Sequence, residues 1–229
     1  MKKTAAILIT TLVSTGVVGQ VSILFPELYF GPDLQDVDHT QGWTGLFTDP
    51  QNQYYIQDIE VAFEKVAHPM IDEEGEYSGI RISTRPGIPH YIFSHPELFH
   101  PGKVKNCVIR ESVILPGDTL VIRFLEHEYK FTAKGTMQTL SSGELLVSDY
   151  ALYISTGKCR KQLIGESEFF DGNMFEILWA GDLNNDCELD LIMDLSHKYS
   201  FREIVLFLSS VENPSAIFEE VGRSRMYFD

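Results

Sequence analysis

The sequence is poor in basic residues. It has 18 Lys and Arg against 33 Asp and Glu in 229 residues, a formal net charge of −15 at pH 7. A nucleic-acid-binding protein displaces phosphate counterions with a basic surface, and a polybasic membrane contact needs the same kind of surface. The composition therefore argues against nucleic acid and anionic lipid as partners. An acidic surface favours solubility and is compatible with cation binding.

Cysteine is also scarce, with only Cys107, Cys159 and Cys187 in the chain. None of them lies in a CxxC pair or beside a histidine, so thiol redox chemistry and zinc ribbons are poorly supported. In an oxidising compartment one disulfide with one thiol left over is an option. Cys107 with Cys159 is then the favoured pair, because Cys187 lies in an acidic loop. Three free thiols are the alternative.

Long apolar runs are missing except near the N-terminus. Lys2 and Lys3 precede an apolar segment, 5–13, that is too short to span ~30 Å of hydrocarbon. Small residues follow at 17–19, and this order is typical of a secretory signal peptide and resembles those of Gram-negative exported proteins. We expect residues 1–19 to be cleaved, leaving a periplasmic or secreted chain without a transmembrane span. Cleavage would remove two of the 18 basic residues and no acidic one, giving a charge of −17.

Strand patterns dominate the remainder of the chain. Short alternating segments with frequent Gly and Pro predict an all-β, mainly antiparallel fold, sandwich or barrel-like, with few or no helices. Residues 21–53 are expected to be an irregular lead-in, and 55–66 also fits a helical face, although a strand is favoured. The predicted strands cover 55–66, 79–83, 90–93, 105–109, one strand after the Pro-Gly turn at 116–117, one after 126–127, 145–154, 161–164, 175–180, 189–195 and 204–209.

The polar segment 135–143 gives a choice of domain organisation. It divides the chain into β-rich regions 20–135 and 136–229 if it is a linker. If it is a long hairpin loop, residues 20–229 form one continuous domain.

Catalytic motifs are absent from the sequence: there is no GxSxG, no Walker-type loop and no dinucleotide-binding glycine pattern. His90, His95 and His100 recur every five residues, which suits neither one helix face nor one strand face. A zinc or iron site would need this segment to fold back on itself. Ordinary surface or loop histidines are expected instead.

The stretch LEHEYKF supplies Glu126, His127 and Glu128. Paired carboxylates serve glycoside hydrolysis, so these residues support an alternative function, a secreted hydrolase acting on glycan or peptidoglycan. Acids on a solvated strand are the commoner explanation. Alanine at all three positions would abolish turnover in a hydrolase and leave partner binding intact in a binding protein.

Four aromatic residues lie close together before and within the first predicted strand. They could stack on a carbohydrate, but large aromatics usually pack into a core or an interface. Core packing is therefore expected for Trp43, Phe47, Tyr54 and Tyr55.

The segment WAGDLNNDCELDLIMDLS, 179–196, carries oxygen ligands at alternate positions. Counting from Asp182 as position 1, side-chain oxygens fall at position 3 (Asn184), position 5 (Asp186) and position 9 (Asp190). The backbone carbonyl of Glu188 falls at position 7. Ca²⁺ takes six to eight oxygens, which such a loop supplies together with water, whereas Mg²⁺ demands stricter geometry. The spacing predicts a calcium site.

The loop differs from an EF-hand. Position 12 is Met193 instead of a bidentate Glu, and the flanking segments look like strands. The pattern resembles the calcium loops of integrin-type FG-GAP and related VCBS repeats, in which an Asp-x-Asp/Asn-x-Asp-Gly-x-x-Asp motif joins two strands. The resemblance covers only this hairpin. It implies the same five ligands, four through side chains and Glu188 through its carbonyl.

Cys187 stands where these loops carry glycine. The turn there prefers a positive φ, which costs a non-glycine residue about 1–2 kcal/mol and would lower ion affinity about tenfold. A loop that has kept its turn but lost its ion, or a plain acidic hairpin tip, is the alternative.

Calcium bound in this loop would have a structural role. The leading hypothesis is an exported binding or scaffold protein whose partner is an unknown protein or carbohydrate of the cell envelope.

Overall fold

The chain is built almost entirely from β-strands. A computed structural model describes residues 20–157, 161–209 and 216–228, so the expected signal peptide, 1–19, and Cys159 lie outside the described residues. Within these ranges there is no α-helix, only two short 3₁₀ turns at Gly31–Leu34 and Pro96–Leu98. The same ranges contain no helix that could cross a membrane. The prediction of an all-β fold is confirmed.

The strands pair in an antiparallel manner within three sheets, which include a curled half-barrel. The described part of the chain contains strands β1 Ile23–Leu24, β2 Leu28–Phe30, β3 Trp43–Thr48, β4 Tyr54–Val66, β5 Gly79–Arg85, β6 Tyr91–Ser94, β7 Gly102–Lys103, β8 Thr119–Phe124, β9 His127–Thr139, β10 Leu145–Thr156, β11 Lys161–Phe169, β12 Glu176–Gly181, β13 Asp190–Asp194, β14 Phe201–Ser209 and β15 Phe218–Tyr227.

The first sheet has the order β1-β6-β3-β4-β5-β2, with β7 added beside β4. The long strand β4 changes partners along its length: residues 54–59 pair with β3 and residues 60–66 pair with β5. The second sheet has the order β11-β10-β9-β8, and the central sheet has the order β12-β13-β14-β15.

The central sheet is covered on both faces. In β14, Ile204, Leu206 and Leu208 belong to a core shared with the first sheet, whereas Val205 and Phe207 belong to a core shared with the second sheet. We call these the first core and the second core. The sequence of a strand that is buried on both faces is a nearly continuous apolar run, and IVLFL in β14 is such a run. The fold is therefore a stack of three β layers.

The strand prediction was wrong in three respects. Residues 105–109 form no ladder but a single bridge, Asn106 to Gly181, and Val108 is 86% exposed. The lead-in that was expected to be irregular contains β1, β2 and β3, and strands β7 and β15 were missed. Five of the six residues of β3 are buried, so its sequence lacks the alternation on which strand prediction depends. The other predicted strands, including the ambiguous 55–66, are present with ends shifted by a few residues.

The segment 135–143 lies in the β9–β10 hairpin. Strand β9 continues to Thr139, whose partner in β10 is Leu145. The turn is closed by backbone hydrogen bonds between Leu140 and Glu144 and between Gly143 and Leu140. The polar residues 135–143 therefore form the exposed end of a paired hairpin.

Candidate metal centre

The acidic segment forms the loop of the β12–β13 hairpin. Strand β12 ends at Gly181 and β13 begins at Asp190, and these two residues are paired across the hairpin. The predicted arrangement of an acidic loop between two antiparallel strands is confirmed. Loop residues 182–189 lie at one end of the central sheet.

Two leucines fix the ends of this loop. Leu183 and Leu189 are both fully buried, Leu183 in the first core and Leu189 in the second core. Burying a leucine side chain contributes about 1.5–3 kcal/mol, so the loop is anchored on both sides of the central sheet. The polar residues between the leucines are held together in the short arc between these anchors.

Asp190 is completely buried. Its Oδ2 accepts a 2.7 Å hydrogen bond from the Leu183 N–H and its Oδ1 accepts one of 2.9 Å from the Ser209 N–H. Burial raises the pKa of Asp190 to about 8; those hydrogen bonds oppose the shift, and the charges of Asp186 and Asp182 add to it. A cation close to this carboxylate would restore its ionised form.

Asp182 is 2% exposed. Its Oδ2 accepts a hydrogen bond of 3.2 Å from the backbone N–H of Cys187, while its Oδ1 is buried and has no hydrogen-bond partner. Burial raises the pKa of Asp182, and the neighbouring charge of Asp186 acts in the same direction. A buried carboxylate oxygen without a donor is unfavourable unless a proton or a cation compensates it.

Asp186 organises the middle of the loop. It accepts hydrogen bonds from the Glu188 N–H at 2.8 Å, from the Asn184 amide at 3.1 Å and from the Ser209 hydroxyl. Its own N–H donates to the Asn184 side-chain oxygen at 3.2 Å. Asn184 and Asp186 are thus held side by side, and Ser209 of β14 contacts both Asp186 and Asp190.

The Glu188 side chain is engaged with the second sheet. Its Oε2 accepts a 2.6 Å hydrogen bond from the Tyr129 hydroxyl, and its Oε1 lies 3.5 Å from Nε2 of His127. If Glu188 binds the ion, as the motif implies, it would therefore do so through its backbone carbonyl.

The turn at the tip has the predicted backbone conformation. Asn185 and Cys187 have positive φ values of 62° and 69°. Asparagine tolerates this region, but cysteine there is strained. Cys187 is exposed and free, and Cys107 is also free and half-buried. The partner favoured for Cys107, Cys159, lies outside the described residues.

The donor set suits a hard cation. Among the residues that the structure describes, no three His, Cys, Asp or Glu side chains converge closely enough to enclose a metal ion by themselves. An ion in the loop would therefore also need the Asn184 oxygen and backbone carbonyls, which are ligands that Ca²⁺ accepts. The unpartnered Asp182 oxygen and a candidate donor set made only of oxygen atoms fit Ca²⁺.

The histidines of the other predicted cluster have separate surroundings. His90 Nε2 lies 3.0 Å from the Thr48 hydroxyl, His95 Nδ1 lies 2.9 Å from Glu97, and His100 is exposed. The structure does not bring the three imidazoles to a common centre.

The residues of the hydrolase alternative lie at the β8–β9 turn. Glu126, His127 and Glu128 are all exposed. Glu128 pairs with Arg123 at 3.1 Å, and His127 approaches the acidic loop through Glu188.

The aromatic cluster packs into the first core, as expected. Trp43 and Phe47 are 5% and 7% exposed. Phe47 stacks on Tyr55 with ring centroids 5.4 Å apart, and Tyr54 meets Trp179 edge to face.

Sequence reasoning missed Ser209 and Tyr129, which both hold the acidic loop. Ser209 is 19 residues from Asp190, and Tyr129 is 59 residues from Glu188, so no local spacing indicates either contact.

Comparison with known protein families, curated proteins and solved structures finds no match to this chain.

Proposed function

We propose that the chain is a non-catalytic binding or scaffold protein, exported to the periplasm or secreted, with a structural calcium site in an FG-GAP/VCBS-like hairpin. Asp182, Asn184, Asp186 and Asp190 would bind the ion through side chains, and Glu188 through its backbone carbonyl. The partner would be a protein or a carbohydrate of the cell envelope.

The observation that carries the calcium site is the Oδ1 atom of Asp182. It is buried without a hydrogen-bond donor in a loop whose other acids already accept several backbone N–H groups. Leaving a buried acceptor unsatisfied costs about 1–3 kcal/mol, and more when the group is charged. Coordination of Ca²⁺ would satisfy this oxygen and would offset the charges of Asp186 and Asp182 that disfavour ionisation of Asp190.

The surroundings of the loop support a structural role for the ion. Leu183 and Leu189 reach into different cores, and Ser209 and Tyr129 link the loop to β14 and to the second sheet. An ion that fixed the loop would strengthen the junction of all three layers. Extracellular calcium modules have dissociation constants of about 10⁻⁴–10⁻³ M, a range suited to an exported protein.

Export and a binding role rest on the sequence. Residues 1–19 contain two basic residues, then an apolar segment and then small residues, and this order supports export. The absence of nucleophile, phosphate-binding and dinucleotide motifs supports binding in preference to catalysis, and the acidic charge argues against nucleic acid.

Metal analysis and thermal melting test the calcium site. Protein equilibrated with about 1 mM Ca²⁺ should bind the ion, and with a dissociation constant of about 0.1 mM this should stabilise it by about 1.4 kcal/mol. For a chain of this size that corresponds to a rise in Tm of about 3–6 °C over EDTA. Mg²⁺ should give a smaller shift. Metal-free protein that melts identically in Ca²⁺ and EDTA would refute the proposal.

The variant Asp182→Asn isolates the key oxygen. It replaces a buried charge by a neutral amide, so its Tm in EDTA should equal or exceed that of the wild type, while the calcium-induced rise should disappear. Asp118→Asn, an exposed acid of the turn before β8, is the matched control and should keep the full rise. Equal calcium responses of the two variants would contradict a role for Asp182.

A further inference from the structure

A cleft of about 660 Å³ lies between β1 and β15. Strand β1 is the last strand of the first sheet and β15 is the last strand of the central sheet. The segment just before β1 meets β15 at a parallel bridge between Val21 and Gly222, where the Val21 N–H donates a 2.7 Å hydrogen bond to the Val221 carbonyl. The cleft is therefore bounded by the edges of two different sheets.

The cleft runs along the backbones of these strands. Consecutive residues line it on both sides, 20–24 on one and 223–225 on the other. Successive side chains of a strand point to opposite faces, so a space lined by consecutive residues lies against the strand edge and not against one face. Strand edges carry N–H and C=O groups that are free to pair with another strand.

An apolar cavity of about 300 Å³ adjoins the cleft. The two spaces share Phe30 and Tyr227 among their lining residues. The smaller one is also lined by Met70, Ile71 and Phe228, which are 76%, 46% and 51% exposed. Exposed apolar side chains that surround a concavity mark binding surfaces.

The charges of the cleft favour a basic occupant. On the β15 side, the buried Glu203 accepts hydrogen bonds from Arg225 and pairs with Arg223 at 3.0 Å, and Arg223 also pairs with Glu220. Glu220 lies outside the lining, whose charged residues are three acids and two arginines, so the lining carries one net negative charge: Asp33, Asp36, Glu203, Arg223 and Arg225. Asp36 is exposed on the opposite wall and adds negative charge at the rim.

We infer that this cleft binds an extended, basic segment of a partner polypeptide by strand addition to β15. The segment would place an apolar side chain beside Met70 and a Lys or Arg near Asp36. The edge from Arg223 to Tyr227 offers roughly 13 Å, since a strand rises about 3.3 Å per residue. Main-chain hydrogen bonds would supply affinity and the apolar cavity would supply selectivity. The inference rests on the binding role proposed above and is independent of the calcium loop.

Fluorescence anisotropy with synthetic peptides tests the inference. The probe is a labelled peptide of about seven alternating Val and Lys residues, added to the full chain. Saturable binding is expected. N-methylation of alternate backbone nitrogens should weaken it about tenfold, because it removes strand hydrogen bonds without changing charge. Replacing Lys by Glu should weaken it as well.

Two surface variants locate the binding. Met70→Ser and Asp36→Asn should each lower the affinity several-fold, and both positions are exposed, so folding should be preserved. Met137→Ser, on the β9–β10 hairpin, and Asp118→Asn are matched controls that should bind like the wild type. Melting curves of all four verify that the fold is intact.

Absence of binding or insensitivity to N-methylation would overturn the inference. So would wild-type affinity in both Met70→Ser and Asp36→Asn. Self-association of the chain that Met70→Ser abolishes would assign the cleft to a second copy and would also overturn it. The calcium-induced rise in Tm is measured on the same samples. If that rise persists while peptide binding fails, only the cleft is refuted, whereas loss of the rise with intact peptide binding refutes only the calcium site.

Discussion

The hydroxyl of Tyr129 donates a 2.6 Å hydrogen bond to the carboxylate of Glu188. It also accepts a 3.3 Å hydrogen bond from the N–H of the next residue, Leu189. Tyr129 belongs to β9 of the second sheet and is 3% exposed. Burial raises the pKa of Tyr129, and the hydrogen bond to Glu188 raises it further, so the hydroxyl stays protonated. One phenol therefore ties the acidic loop of the central sheet to the neighbouring layer.

Replacing this tyrosine should weaken both the fold and the calcium site. Tyr129→Phe removes one donor and leaves the Leu189 N–H without its acceptor, a loss of about 1–3 kcal/mol and a fall in Tm of about 3–10 °C. Calcium titrations followed by melting should show a higher half-saturation concentration, because the loop is less well fixed.

Tyr150→Phe is the matched control for this experiment. The buried Tyr150 hydroxyl donates a 2.7 Å hydrogen bond to the Ile114 carbonyl, away from the loop. Its loss should lower Tm similarly but leave the calcium titration unchanged. Identical calcium titrations for the two variants would show that Tyr129 acts only on global stability.

Cys187→Gly should strengthen calcium binding. Cys187 has φ +69°, which glycine adopts without the penalty of about 1–2 kcal/mol that a side chain incurs. The relief should raise calcium affinity up to about tenfold. Calorimetric titration measures the affinity, and melting in EDTA shows how much of the gain is already present without the ion.

Asn185→Gly serves as the comparison, because Asn185 also has a positive φ, 62°, but asparagine tolerates it better. Asn185→Gly should therefore raise the calcium affinity less than Cys187→Gly does. A calcium affinity unchanged by Cys187→Gly would mean that the cysteine does not limit the site.

The stability of the metal-free protein should depend on Asp190. Its pKa is about 8 in the folded state, mainly because of burial, against about 3.9 in an unfolded chain. The folded state thus holds a proton that the unfolded state releases, so this group favours folding least at high pH. Its contribution is fully present below about pH 4 and is lost as the pH rises towards 8.

Calcium must displace that proton, since ligating carboxylates are ionised. The calcium-induced rise in Tm should therefore grow between about pH 5.5 and about pH 8. Melting curves in Ca²⁺ and in chelator across this range measure it. A rise that shrinks with increasing pH would contradict the role assigned to Asp190.

The features predicted correctly from sequence are the local ones. Alternate acids between two apolar segments predict the hairpin loop, and the glycine position occupied by Cys187 predicts its positive φ. The three-layer arrangement was not predicted, because the apolar run of β14 does not show that its two faces meet different cores. The contacts of Ser209 and Tyr129 with the loop depend on tertiary pairing, which no spacing within the segment encodes.

Gly181, which ends β12, is required by a close backbone approach. A Cβ atom there would lie 2.3 Å from the Lys105 carbonyl oxygen and 2.6 Å from the Trp179 ring. That same carbonyl accepts the 2.8 Å hydrogen bond from the Asp182 N–H, so a methyl group would push apart the strand end and the segment that supports the acidic loop. Overpacking of this kind costs about 1–3 kcal/mol or more.

Gly181→Ala should therefore lower Tm by at least several degrees and weaken the calcium response, because Asp182 is the next residue. Gly157→Ala is the control: its Cβ would meet nothing within 4 Å, and removing chain entropy at a compatible glycine stabilises by about 0.4–1 kcal/mol. Differential melting of the two variants with and without Ca²⁺ separates the two effects. If Gly181→Ala lowered Tm but kept the full calcium rise, the segment around Lys105 would support the fold without positioning Asp182.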